Sequence, residues 1–138
     1  MNGKRRIGII DILFAAVSAF YLIGIRTVFS ACGPKEDGTW MSCHWAGQAV
    51  TAIAAVLLVI SVMHLFIRDA KIRIGLSAAM IPTALSGIFV PGTLVNLCMM
   101  DTMRCHTVMR PFVVIMSVAV SVICAIDIFL NSNFCAQK

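Results

Sequence analysis

Polar residues are so sparse along the chain that they mark boundaries between apolar runs and do not outline one face of each run. Four such runs stand out, Ile7–Ile25, Ala46–Phe66, Ile74–Leu97 and Phe112–Leu130. Each is close to the roughly 20 residues a helix needs to cross a hydrocarbon layer about 30 Å thick. The pattern predicts an all-α chain: a four-helix transmembrane bundle in one integral domain over residues 1–138, with outer loops at about 26–45 and 98–111. The first run ends before Cys32 and the second starts after Cys43-His44, while the third ends at Cys98 and the fourth starts after Cys105-His106, so the chain reads as two helical hairpins in the same orientation. "CGPKEDGT" has the Gly-Pro and Asp-Gly punctuation of a tight surface loop. Pro82 and Pro91 both fall in the third run, where each removes a backbone donor, and predict a kinked or broken helix. Pro111 suits the first turn of the fourth.

Composition supports lipid as the solvent. Apolar residues make up 60% of the chain and charged residues 12%, against about 45–50% and about 25% in soluble domains. The surplus of 11 Lys and Arg over 6 Asp and Glu then becomes a topology signal, because basic residues in short loops stay on the cytoplasmic side. Lys4, Arg5, Arg6, Arg68, Lys71, Arg73 and Lys138 fall on one side; Arg26, Lys35, Arg104 and Arg110 fall on the other, with Glu36 and Asp37 offsetting two of them. Both termini are expected inside, in a multi-pass protein of the plasma (inner) membrane, and nothing points to nucleic acid. Trp40, Trp45 and Tyr21 lie near the outer boundary, where amphipathic rings prefer to sit. "KRR" before an apolar run also begins secretory leaders, and "VFSAC" resembles a lipoprotein cleavage site. Asp11 and Arg26 interrupt that pattern, so the first span is expected to be retained.

Inside the spans, Gly47, Thr51 and Ala55 form one row of small residues, and Ala79, Thr83 and Gly87 another. Such rows let helix backbones approach closely. Ionisable groups in a membrane span are candidates for function. Asp11, His64 and Asp127, however, lie about a turn from the inner boundary, where they can reach headgroups, water, or Arg68 and Arg73. A proton relay needs such groups at mid-depth, so interfacial ion pairing is the expectation.

Met-x-Cys-His occurs twice, in "MSCHW" at 41–45 and "MRCHT" at 103–107, each time just ahead of an apolar run. Cys32 and Cys43 bracket the first outer loop, and Cys98 and Cys105 the second. Disulfides persist outside the cytosol, so these four are expected to form two bridges, whereas Cys124 and Cys135 remain reduced. Three connectivities are open; bridging within each loop is the simplest. A straight helix over 98–105 would hold its ends about 10 Å apart, beyond the roughly 4.4–6.8 Å of bridged Cα atoms, so "CMMDTMRC" must turn back on itself.

"SCHWAGQAV" and "CMMDTMRCHTVMRPF" in a chain with a basic start and four spans resemble a family of small bacterial membrane proteins known only as a domain of unknown function. The resemblance covers almost the whole chain. It implies a four-helix membrane fold, cysteines in both outer loops and an association with transporter permeases of the macrolide-exporter type. It implies no activity.

Three functions compete. A rigid, disulfide-stapled bundle would serve as an accessory subunit docking on a larger membrane protein or on a second copy, with Trp40, Trp45, Arg104, His44 and His106 as contacts, since aromatic and Arg groups anchor interfaces. Two cysteine pairs outside a four-span bundle also resemble quinone-linked thiol-disulfide oxidoreductases, although those use a closely spaced pair in one loop. Third, Cys43, His44, Cys105 and His106, with Met41, Met103 or Met109, offer donors for a soft metal or haem iron. No CxxC or HxxxH spacing accompanies them. The accessory-subunit reading demands least of the residues.

Overall fold

The computed structural model describes residues 2–30, 33, 36–67, 69–96, 102 and 104–136. Four helices account for nearly all of them: α1 (Asn2–Arg26), α2 (Ser42–Phe66), α3 (Ala70–Phe89) and α4 (Arg110–Ala136). All four are long and apolar enough to cross a membrane. Among the described residues there is no strand, only an isolated bridge between Pro91 and Val95. The chain is a multi-pass helical membrane bundle, as its apolar runs imply. α1 packs chiefly against α2, and α3 against α4, so the two hairpins are real units. One end of the bundle carries the starts of α1 and α3 with the ends of α2 and α4; we call it the terminal end. The other is the loop end.

Every helix buries a seam at alternating three- and four-residue spacing. On α1 it runs Asp11, Phe14, Ser18, Tyr21, Ile25, and on α2 Cys43, Ala46, Val50, Leu57, Ser61, His64. On α3 it is Arg73, Ser77, Met80, Ala84, with buried Gly87, and on α4 Val113, Ser117, Val120, Cys124, Asp127, Asn131. Recurrences of seven, such as 43, 50, 57 and 64, keep one stripe facing the axis of a four-helix bundle along its whole length. The outward positions, including Ile12, Phe20, Val56, Val59, Ile115, Val122 and Phe129, are large, apolar and exposed. Lipid removes the penalty that water would impose on them, so the polar residues are drawn to the inside.

Several boundaries differ from those the runs predict. α3 ends at Phe89, not Leu97: Val90 still has helical backbone angles, but Pro91 has no N–H to continue the ladder and the chain leaves the helix there. The chain then turns through Gly92, whose φ of 104° suits glycine. Pro82 does not break α3, which runs through it. The helical starts of both hairpins' second members lie earlier than expected. α2 begins at Ser42, and α4 is entered through a π turn over Cys105–Met109 in which Arg110 N–H bonds to Cys105 C=O. Cys43-His44 and Cys105-His106 are therefore helical residues and not loop residues.

Of the small-residue rows, Gly87 is the position of close approach: a Cβ there would lie 3.2 Å from Ser117 Oγ and 3.3 Å from Tyr21 Oη. Gly47, Thr51 and Ala55 are half-buried, and Ala79 is exposed. Tyr21 is no boundary ring. It is fully buried, edge-on to Phe112 at 5.9 Å between centroids.

Candidate functional site

The densest chemistry lies inside the terminal end, where each helix supplies one ionisable side chain. Asp11 comes from α1, His64 from α2, Arg73 from α3 and Asp127 from α4, and all four are buried. They sit at one depth because the antiparallel seams bring the start of α1 beside the end of α2, and the start of α3 beside the end of α4.

His64 occupies the centre. Its Nδ1 is 3.1 Å from Asp11 Oδ1, and its Nε2 is 3.2 Å from Ser77 Oγ and 3.4 Å from Asp127 Oδ2. Phe14 lies against the ring, with centroids 5.4 Å apart. Arg73 donates from Nη1 to Asp11 Oδ2 at 3.1 Å and from Nη2 to Asp11 Oδ1, and its Nη2 stands 3.6 Å from Asp127 Oδ1. Ser77 donates to Asp127 Oδ2 at 2.8 Å, and Asn131 donates from Nδ2 to the Asp127 carbonyl at 2.9 Å. The Arg–carboxylate pair is a two-bond fork, the strongest geometry available to these groups.

Hydrogen-bond accounting shows what the cage favours. Ser77 has one proton and spends it on Asp127, so its oxygen accepts from Nε2. Both ring nitrogens thus face oxygens, and the Arg73 guanidinium stands between the two carboxylates, so loss of any one of these groups leaves a buried charge poorly compensated, which is costly.

Asp11, His64 and Asp127 also present ligand atoms within 4.8 Å of one another, the spacing of a metal site. The guanidinium on Asp11 argues against that use, since a metal ion would have to displace Arg73 from its carboxylate. The arrangement is better suited to binding four helices together than to holding a cation.

The interfacial ion pairing expected for these residues is thus corrected in part. Arg73 is the partner, but the groups face one another inside the bundle and not headgroups or water. Arg68 lies outside the described residues. Polar groups continue up the interior: Ser61 Oγ donates to Leu57 C=O at 2.7 Å and accepts from Ser18 Oγ at 2.8 Å. One further turn along, Tyr21 Oη and Ser117 Oγ are buried beside each other and, among the described residues, make no hydrogen bond of ordinary geometry.

The residues singled out from the Met-x-Cys-His repeats lie at the loop end. Cys43 and Cys105 are fully buried in the first turns of their helices, and Met109 packs in the core. His44 points elsewhere, into a cleft between α1 and α2, and stacks on Trp40 at 4.0 Å with Trp45 edge-on at 5.8 Å. His106 and Met41 are half-buried. Among the described residues, no group of three His, Cys, Asp or Glu ligands forms here. The described cysteines, Cys43, Cys105 and Cys124, are not bridged to one another. Cys32, Cys98 and Met103, on which the expected bridges and part of the soft-ligand set depend, lie outside the described residues. Trp40 and Trp45 are exposed, and Arg104 donates from Nη2 to Val28 C=O at 3.2 Å, joining the entry of α4 to the exit of α1.

A family model for a domain of unknown function, DUF4418, matches residues 8–130. The chain belongs to this family. The DUF4418 match takes in the first three spans and the fourth as far as Leu130, and includes Asp11, His64, Arg73 and Asp127, so the buried cage lies within the family's own domain. No curated protein and no solved structure matches the chain significantly.

Proposed function

We propose that this DUF4418 protein is an accessory subunit that docks through its loop end on a larger membrane protein, such as a transporter. The observation that supports the reading is the stack of Trp40, His44 and Trp45. Two indoles, 52% and 63% exposed, are held on one imidazole at the rim of the bundle. Exposed aromatic groups fixed in place lose little freedom on binding and make strong interface anchors. The ionisable groups of the interior, in contrast, are spent on one another in joining the four helices.

In this proposal both termini face the cytoplasm of a plasma-membrane protein, in accord with the charge count. The segments carrying Cys32, Cys43, Cys98 and Cys105 are then extracytoplasmic and disulfide-stapled, in an oxidising compartment. Affinity capture from native membranes in mild detergent tests the reading. Stoichiometric co-elution of a larger membrane protein, lost in the Trp40→Ala, Trp45→Ala double variant, is the expected result. A wild-type chain that elutes alone or only as its own oligomer, or a partner retained by the double variant, refutes it.

A further inference from the structure

Along α2 from Trp45 to Met63, Gln48 is the polar side chain that neither faces the seam nor bonds to its own helix. Ser61 faces the seam, and Thr51 donates to Gly47 C=O at 2.7 Å. Gln48 belongs to the exposed stripe of Trp45, Ala52, Val56 and Val59, a lipid-facing surface that has no other use for an amide. Polar groups at such positions mark binding sites.

A cleft explains it. A cavity of about 180 Å³ opens between the exit of α1 and the entry of α2, lined by Ile25, Arg26, Ser30, His44, Gln48 and Thr51 over a floor at Gly47. Arg26, His44, Gln48 and Ser30 can all donate hydrogen bonds, and among the described residues no carboxylate lines the space. Among the described residues, no carboxylate pairs with Arg26, whereas Arg73 at the other end is paired with Asp11 and stands beside Asp127. The stack on Trp40 holds the His44 ring in place. Gln48 lies about 9 Å along the helix from Ser42, at the edge of the apolar belt, where phosphate groups of lipids lie.

We propose that this cleft binds a phosphate or phosphodiester anion, either as the headgroup of an anionic lipid or free in solution. A planar guanidinium matches phosphate oxygens with two parallel donors, and the Gln48 amide and Ser30 hydroxyl complete a set of donors without a competing acid. The small volume suits a headgroup and not a drug-sized molecule.

Trp40 and Trp45 are the two tryptophans of the chain and flank the cleft, so intrinsic fluorescence is a local reporter. Protein in neutral detergent is titrated with dihexanoyl phosphatidylglycerol, dihexanoyl phosphatidylcholine or inorganic phosphate, and adducts are counted by native mass spectrometry. Saturable one-to-one binding of phosphatidylglycerol is expected, at least tenfold weaker in Arg26→Gln and in Gly47→Leu, which fills the floor. Arg110→Gln, an exposed arginine at the same end, leaves it unchanged. Saturation by inorganic phosphate with the same dependence on Arg26 identifies the free anion as the ligand. Absence of saturable binding by both readouts, equal binding of phosphatidylcholine, or equal losses in Arg26→Gln and Arg110→Gln would overturn the proposal.

Discussion

Arg73 and Asp11 are 62 residues apart in the chain and meet through both guanidinium Nη atoms and both carboxylate oxygens. The pair joins the third helix to the first across the bundle interior. Removing one member leaves the other charged and buried, which costs about 3–5 kcal/mol. Arg73→Met therefore lowers stability strongly, because Asp11 and Asp127 then share only the His64 ring. The Asp11→Leu, Arg73→Met double variant is expected to be less destabilised than Arg73→Met alone. SDS-induced unfolding in mixed micelles measures the difference, and additive losses would show that the two side chains are not coupled.

His64 gives a second test of charge balance. His64→Phe keeps an aromatic ring beside Phe14 but removes both contacts to the carboxylates, leaving Asp11 and Asp127 with Arg73 alone. A marked loss of stability follows. Adding Asp127→Asn removes the surplus negative charge and is expected to recover part of it in the same unfolding assay. A further loss in the double variant would mean that Asp127 contributes chiefly through Ser77 and not through charge.

Gly24 sets how closely α1 approaches α4. A Cβ at this position would come within 2.6 Å of Phe112 Cζ. A ring tip can often yield, but this one is stacked on Phe29 at 3.9 Å and met edge-on by Tyr21 and Phe20. Gly24→Ala is therefore expected to cost about 1–3 kcal/mol by overpacking, although alanine is the better helix former. Phe112→Leu in the Gly24→Ala background makes room and lessens the loss. A neutral or stabilising Gly24→Ala would show that the ring moves freely.

Length and hydropathy made the four helices legible, and charge marked their boundaries. The site was harder to see, because spans that are apolar on every side hide their inward face from any search for an apolar stripe. The usable signal was the inverse one: Asp11 and Ser18, Ser61 and His64, Arg73 and Ser77, and Ser117 and Asp127 each recur at helical spacing and all lie on the buried seams. Their approach to one another depends on how four antiparallel seams align, which no single span encodes. The Cys-His couples misled for a related reason. Adjacent residues on a helix diverge by about 100°, so Cys43 enters the core while His44 lines the outer cleft. The end of α3 was set by Pro91, a local rule that hydropathy over Ile74–Leu97 obscures.

The two hydroxyl pairs of the interior should respond to mutation with opposite sign. Ser18 donates to Ser61, which passes a bond on to Leu57 C=O, so Ser18→Ala removes a satisfied contact. Polar side-chain bonds between membrane helices contribute on the order of 0.6 kcal/mol, up to about 1.7, and Ser18→Ala is expected to lose stability in that range. Tyr21 buries a hydroxyl that lies beside Ser117 Oγ and, among the described residues, makes no hydrogen bond of ordinary geometry. Tyr21→Phe keeps the ring on Phe112 and deletes a group whose desolvation is poorly offset, so it is expected to be neutral or stabilising. Parallel unfolding of the two variants checks the contrast, and a Tyr21→Phe variant weaker than Ser18→Ala would show that its hydroxyl has a partner in the folded protein.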